Sequence, residues 1–340
     1  MSARKLVRTL GFGLLVLPAM AYAEPAGDFH QHVFSKETVG LIGPAAGLTL
    51  LDAKDVVTLL DTAGIRKAVL LSTAYMFGSP QRQVDNEYAR VRLENDWTAA
   101  QAARFPDRLV AFCGFNPLKD YALVELNRCA SIPGLRRGIK LHLGNSDAQL
   151  DKPSHVKRLR DVFAAANAKG MAIVVHLRAN IGKKRPYGEK QARVFLEQVL
   201  PAAPDVVVQV AHLGGTGPGF DDPPAREVLA VLAGAVEQGA PQTRNLWFDV
   251  ASIVDRGLPP RCGRPDGAAH PPDRRRTGAV RDRFGAGRQP AAARGLGGVS
   301  PATADRGRVR TDRAQCAAVF PVSLASNRTY RASWVREKRN

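Results

Sequence analysis

Seven short apolar, β-branched runs recur between residues 28 and 252, with a helical pattern between most neighbouring pairs. The runs are 28–34 (DFHQHVF), 67–73 (KAVLLST), 109–115 (LVAFCGF), 138–143 (GIKLHL), 172–177 (AIVVHL), 206–212 (VVVQVAH) and 246–252 (LWFDVAS). Amphipathic stretches lie at 52–62, 86–104, 153–168 and 189–200. Near-continuous apolar runs suit strands buried on both faces of a parallel sheet. Strict alternation with helices implies right-handed βαβ units. Seven units predict an α/β fold, a (β/α)8 TIM barrel with its eighth strand unaccounted for. A doubly wound open sheet is the rival. Against it, no GxGxxG follows the first run, and 215–219 (GTGPG) is only a glycine-rich loop after the sixth.

Composition narrows the function classes. Hydrophobic residues make up 45% of the 340 and charged residues 24%. That is enough for a sizeable core and excludes wholesale disorder. Four cysteines exclude a disulfide-built scaffold. Cys113 sits in an apolar run and Cys129 near a helix end; with no CxxC present, both read as packing residues. The formal net charge is +18, but residues 257–340 alone hold 17 Arg, one Lys and six acidic residues. The core is therefore near neutral, and neither aromatic interleaving nor lysine enrichment accompanies the basic stretch. No nucleic-acid partner is expected.

Both ends differ from the middle. Arg4, Lys5 and Arg8 precede an apolar run at 11–20, and Ala21-Tyr22-Ala23 follows. This three-part pattern predicts a secretory signal over 1–23, and an exported, periplasmic or secreted protein starting near Glu24. The run is too short to span a bilayer, which takes about 20 residues. No membrane association is expected after cleavage. From 257 to 340 there is no Ile and only three Leu, six Val and two Phe. Such a stretch of Arg, Pro, Gly and Ala cannot offset chain entropy with burial. The abrupt change near Arg256 predicts a frameshift product. The expected organisation is a signal over 1–23, an incomplete barrel over 24–256 and a disordered tail over 257–340.

Five of the seven histidines lie within or at the end of a predicted strand: His30, His32, His142, His176 and His212. His155 is on a helix and His270 in the tail. In a barrel the C-terminal strand ends converge on one mouth, where active sites sit. His30 and His32, separated by one residue, share a side of their strand and are able to hold one divalent ion with help from other strands.

At these residues a family resemblance enters. Asp28-Phe29-His30-Gln31-His32 resembles the first-strand HxH signature of the amidohydrolase superfamily. Val175-His176-Leu177 and Ala211-His212-Leu213-Gly214-Gly215 resemble its fifth- and sixth-strand histidines. Asn95-Asp96-Trp97, then Phe105-Pro106-Asp107-Arg108-Leu109, then Asn116-Pro117, are similar to the amidohydrolase-related branch that includes lactonases and decarboxylases. The resemblance covers about residues 27–255. It implies a metal-bearing barrel with His30, His32 and His176 as ligands and His212 working beside substrate. It also implies a carboxylate on the eighth strand, and nothing after Ser252 reads as that strand. Asp249 is the last carboxylate on a credible strand, but it lies on the seventh and is not taken as the missing ligand.

Three neutral imidazoles leave open positions on an ion, most naturally Zn²⁺. A water bound there has its pKa lowered from 15.7 to around 7 and attacks an ester, lactone or amide carbonyl. His212 is suited to general acid/base work. Lys140, His142 or Arg178 would bind a small substrate's carboxylate. Metal-assisted decarboxylation uses the same ligands and remains the alternative, as does a catalytically dead, truncated product. A homo-oligomer is left open.

Overall fold

The computed structural model describes residues 27–43, 47–217 and 222–253. The expected signal segment and the tail lie outside the described residues. Seven strands form one parallel sheet in sequential order: β1 (Asp28–Gln31), β2 (Ala68–Leu71), β3 (Leu109–Gly114), β4 (Gly138–His142), β5 (Ala172–His176), β6 (Val208–Val210) and β7 (Leu246–Phe248). The helices are α1 (Lys36–Ile42), α2 (Ala53–Thr62), α3 (Glu87–Ala103), α4 (Ala122–Ser131), α5 (Leu143–Ser146), α6 (Pro153–Ala168), α7 (Glu189–Val194) and α8 (Pro223–Glu237). Among the described residues no helix is long and apolar enough to cross a membrane.

Side-chain alternation along each strand divides the core in two. Leu70, Ala111, Cys113, Ile139, Leu141, Ile173, Val175, Val208 and Val210 point outward and join the helices in the main cluster. Leu71, Phe112, Ala172 and Val174 point the other way and form a second cluster inside the curl of the sheet. The curl brings the first strand within reach of the sixth: Gln209 Nε2 of β6 donates to Phe29 O of β1 at 3.4 Å. The architecture is a barrel lacking its eighth strand among the described residues, as the alternation predicts.

The elements form where local chemistry favours them. Asp52 caps α2 and makes a reciprocal capping box with Asp55, satisfying amide groups that the first turn leaves free. The predicted stretch at 189–200 is less regular: α7 passes into a π-helical turn (Phe195–Val199) and a 3₁₀ turn (Leu200–Ala202). Pro201 has no amide hydrogen to continue an α-helical ladder.

One reading is corrected. Cys113 and Cys129 are not simply packing residues; they form a disulfide that ties β3 to α4 across a separation of 16. Lack of a CxxC spacing says nothing against a bridge between elements stacked by the fold. Asn95 of α3 supports the same strand, donating to Gly114 O at 3.0 Å and accepting from Gly114 N at 2.8 Å.

Candidate active site

The C-terminal ends of β1, β4, β5, β6 and β7 bring five histidines, Lys140 and Asp249 together. Ring centroids run in a chain: His32 is 5.3 Å from His30, His30 is 4.6 Å from His212, His212 is 5.2 Å from His176, and His176 stacks on His142 at 3.8 Å. Lys140 Nζ donates to His30 Nε2 at 3.1 Å. His30, His32, His176, His212 and Lys140 are all buried.

The partners assign the tautomers. His32 Nδ1 lies 2.7 Å from Leu71 O, and His212 Nδ1 lies 2.6 Å from Ala251 O. A carbonyl only accepts, so each Nδ1 carries the proton and each Nε2 keeps its lone pair. His30 Nδ1 faces Asp249 Oδ2 at 2.9 Å, which leaves its Nε2 an acceptor too. His142 is the reverse: its Nδ1 accepts from Asn145 N at 3.1 Å, so its neutral form carries the proton on Nε2. His176 Nδ1 is buried with no partner among the described residues.

Asp249 organises this group, a role the sequence reading withheld. Its Oδ2 accepts from His30 and from Gln209 Nε2 at 2.6 Å. Its Oδ1 accepts from His212 N at 2.9 Å and Ala251 N at 3.2 Å. The available signal was one acid inside the apolar run LWFDV. The same contacts hold His212 and Leu213 in left-handed backbone, with φ of 53° and 51°. Non-glycine residues there are uncommon and cost about 1–2 kcal/mol each. Leu213 N donates to Asp249 O at 3.0 Å, so β7 over-determines the turn that ends β6.

Burial sets the charges. It holds His30, His32, His142 and His176 below the usual imidazole range, with neighbouring positive groups acting in the same sense. Burial pulls His212 down to about 3, helped by the charges of His30 and Lys140. Burial likewise pulls Lys140 down to about 7, with Asp249 opposing. Burial alone would raise Asp249, but the adjacent His30 ring with its hydrogen bond, together with the His212 ring and backbone amide, holds it well below the carboxylate range. The imidazoles are therefore neutral donors or ligands at pH 7, and Asp249 is ionised.

Arg178 is placed differently from the substrate-binding expectation. Its Nε donates to Asp222 Oδ2 at 2.8 Å, and its guanidinium lies 4.7 Å over the Tyr187 ring. The carboxylate it meets is the protein's own.

One ligand atom each from His30, His212 and Asp249 lie within 4.8 Å of one another, a group able to hold a divalent ion. A family model described as Amidohydrolase matches residues 28–288. This chain belongs to the amidohydrolase family. Similar solved structures include a 5-carboxyvanillate decarboxylase from Sphingomonas paucimobilis, at 15% identity and a TM-score of 0.47, covering 69% of this chain and 83% of that one. A probable 2-pyrone-4,6-dicarboxylic acid hydrolase from Acinetobacter baumannii matches at 20% identity and a TM-score of 0.40, covering 66% and 70%. A 2,6-dihydroxybenzoate decarboxylase from Rhizobium matches at 20% identity and a TM-score of 0.43, covering 56% and 67%. No curated protein matches the chain. Among the family-like motif residues, Asn95 braces β3, while Asn116 Nδ2 donates to Gly78 O at 2.7 Å and braces the β2–α3 loop.

Proposed function

We propose that this amidohydrolase is a metal-dependent hydrolase of a small, carboxylate-bearing ester, lactone or amide. The observation that carries the reading is the set of imidazoles whose Nδ1 protons are engaged by oxygen acceptors. Metal-binding histidines are oriented in this way, with the second nitrogen left as ligand. The buried, unpartnered His176 Nδ1 adds a polar group in need of a partner. An all-nitrogen donor set suits Zn²⁺.

His30, His32 and His176 would hold the ion. The tighter group of His30, His212 and Asp249 reads as an orienting network instead. Asp249 already accepts from four donors, and a carboxylate has about four lone-pair sites. Bound there, the ion would supply Lewis acidity and a reactive water at neutral pH. His212 takes a proton at Nε2, and His142 donates from Nε2 to the substrate oxygen. Lys140, neutral in a large share of molecules near pH 7, repels a cation less than a full ammonium would.

Elemental analysis of a His30→Ala/His32→Ala double variant tests the site, and metal content should fall to background. His212→Ala should keep its metal while turnover drops by about 10² to 10⁴. Metal loss in His212→Ala would instead assign the ligand role to the tighter group. Decarboxylation is the second reading, favoured by the full engagement of Asp249, which leaves that carboxylate no lone pair for activating water. Release of CO₂ rather than of a new acid from the substrate separates the two.

A further inference from the structure

Glu94 of α3 is a buried acid that the hydrolase chemistry does not use. Its Oε2 accepts from Ser35 Oγ at 2.5 Å, and its Oε1 accepts from Thr73 Oγ1 at 3.0 Å. Ser35 Oγ itself accepts from Thr38 N at 3.0 Å, so the hydroxyl proton goes to the carboxylate. Thr38 Oγ1 lies 3.1 Å from Thr73 Oγ1 and closes the group. All four residues are buried. Burial pushes the Glu94 carboxyl up, while the Ser35, Thr73 and Thr38 hydroxyls pull it down. An acid in such a place costs free energy that an apolar side chain would not. What it supplies is a fixed geometry for the loops whose hydroxyls it holds.

Those loops continue from β1 and β2, where the sheet ladder is irregular. The three steps from Asp28 to Gln31 run against two from Ala68 to Leu70. An extra residue in one strand bends it and re-aims the side chains beyond it. His32 comes directly after this slip, and its Nδ1 meets Leu71 O at 2.7 Å, the contact that leaves Nε2 as the free ligand nitrogen. The ladder therefore sets the offset between His32 and Leu71 only loosely. The Phe34–Leu51 bridge ties the chain after β1 to the residue before the Asp52 cap of α2, not to β2. Glu94 makes the missing tie. It takes one hydroxyl from three residues past His32 and one from two residues past Leu71.

We propose that Glu94 is the positioning residue for His32: it clamps the ends of β1 and β2 at the spacing that keeps Leu71 O on His32 Nδ1. The clamp stands on geometry alone. Only its consequence, a His32 Nε2 held ready for a metal ion, rests on the hydrolase reading.

Long-range proton–nitrogen NMR of the full chain, labelled with ¹⁵N-histidine and stripped of metal by EDTA, tests it at pH 7.5. Loss of signals in His32→Gln assigns His32. In the unaltered chain His32 should show one tautomer, with the proton on Nδ1. In Glu94→Ala its two nitrogen shifts should converge as both tautomers become populated. Glu94→Gln, whose amide still reaches one hydroxyl with each arm, should keep the single tautomer. His212 is the internal control, because its Nδ1 meets Ala251 O at 2.6 Å on the far side of the mouth. A single Nδ1–H tautomer of His32 in Glu94→Ala overturns the proposal, however far the melting temperature falls. So does convergence at His212 to the same degree, which is general loosening. If Glu94→Ala does not fold, Thr73→Val, a near-isostere that removes one arm of the clamp, decides by the same readout. Zn²⁺ affinity of Glu94→Ala, read by competition with a chelating dye, should fall by about 10–100-fold. Affinity that is unchanged while the His32 tautomer is lost would sink His32 as a ligand, and the hydrolase site with it, but would leave the clamp standing.

Discussion

Asp249 shows how one side chain sets the chemistry of several others. Its two oxygens face donors only, from His30, Gln209, His212 and Ala251. In Asp249→Asn, the amide oxygen still serves the His212 and Ala251 amides, but the NH₂ group then confronts the donors of Gln209 and His30. His30 is driven to its other tautomer, with its proton on Nε2 and no ligand lone pair there. We expect metal affinity to fall by about 10–100-fold, read by competition with a chelating dye, together with a lower melting temperature. Unchanged affinity would show that Asp249 does not orient His30. The same scale explains Arg178: following His176 by two residues puts it on the expected side of the chain, yet the partner that neutralises it comes from the start of α8.

Close packing and covalent linkage act between elements. A Cβ on Gly114 would stand 2.5 Å from Ser72 O, and one on Gly138 would stand 2.4 Å from the Phe112 ring. Both glycines let β3 approach its neighbours. On the helix side, Cys113–Cys129 crosses from β3 to α4, beside Glu125, which accepts from Asn95 Nδ2 and from the Arg128 guanidinium. Closing a loop of this length restricts the unfolded chain and stabilises the fold by about 3 kcal/mol. Cys129→Ala should lose roughly that amount in urea unfolding, and dithiothreitol should shift the unaltered protein toward the same midpoint. A midpoint indifferent to reductant would mean that the pair stays as thiols.

Seen whole, the sheet has two edges among the described residues, β1 and β7, each with a neighbour on one side only. Phe29, Trp247 and Val250, on or next to these strands, expose apolar surface. Open apolar edges invite association with other chains. The abrupt change in composition near Arg256 offers an explanation at the level of the gene. Translating the other two frames downstream of codon 256 should reveal an apolar strand that ends in an Asp, followed by a helix. The family match continues to residue 288, beyond the break, so this translation is the deciding observation. If neither frame restores such a strand, the basic stretch is a genuine extension and the incomplete barrel belongs to the encoded protein.

The alternation of strands and helices, and the placement of His30, His142, His176 and Lys140 on strands, with His32 and His212 just past strand ends, were legible in the chain because they rest on local periodicity. A residue's side of a strand depends on its neighbours at two-residue spacing. Strand ends were less legible: the run at 206–212 is a strand only over Val208–Val210, because His212 turns back in left-handed backbone. That turn is held by Asp249, 37 positions away. Asp249 meets His30 across 219 positions, and Arg178 meets Asp222 across 44. These pairings exist because a parallel sheet twists and curls until strands remote in sequence face one mouth. The curl is a property of the assembled sheet, and no window along the chain contains it.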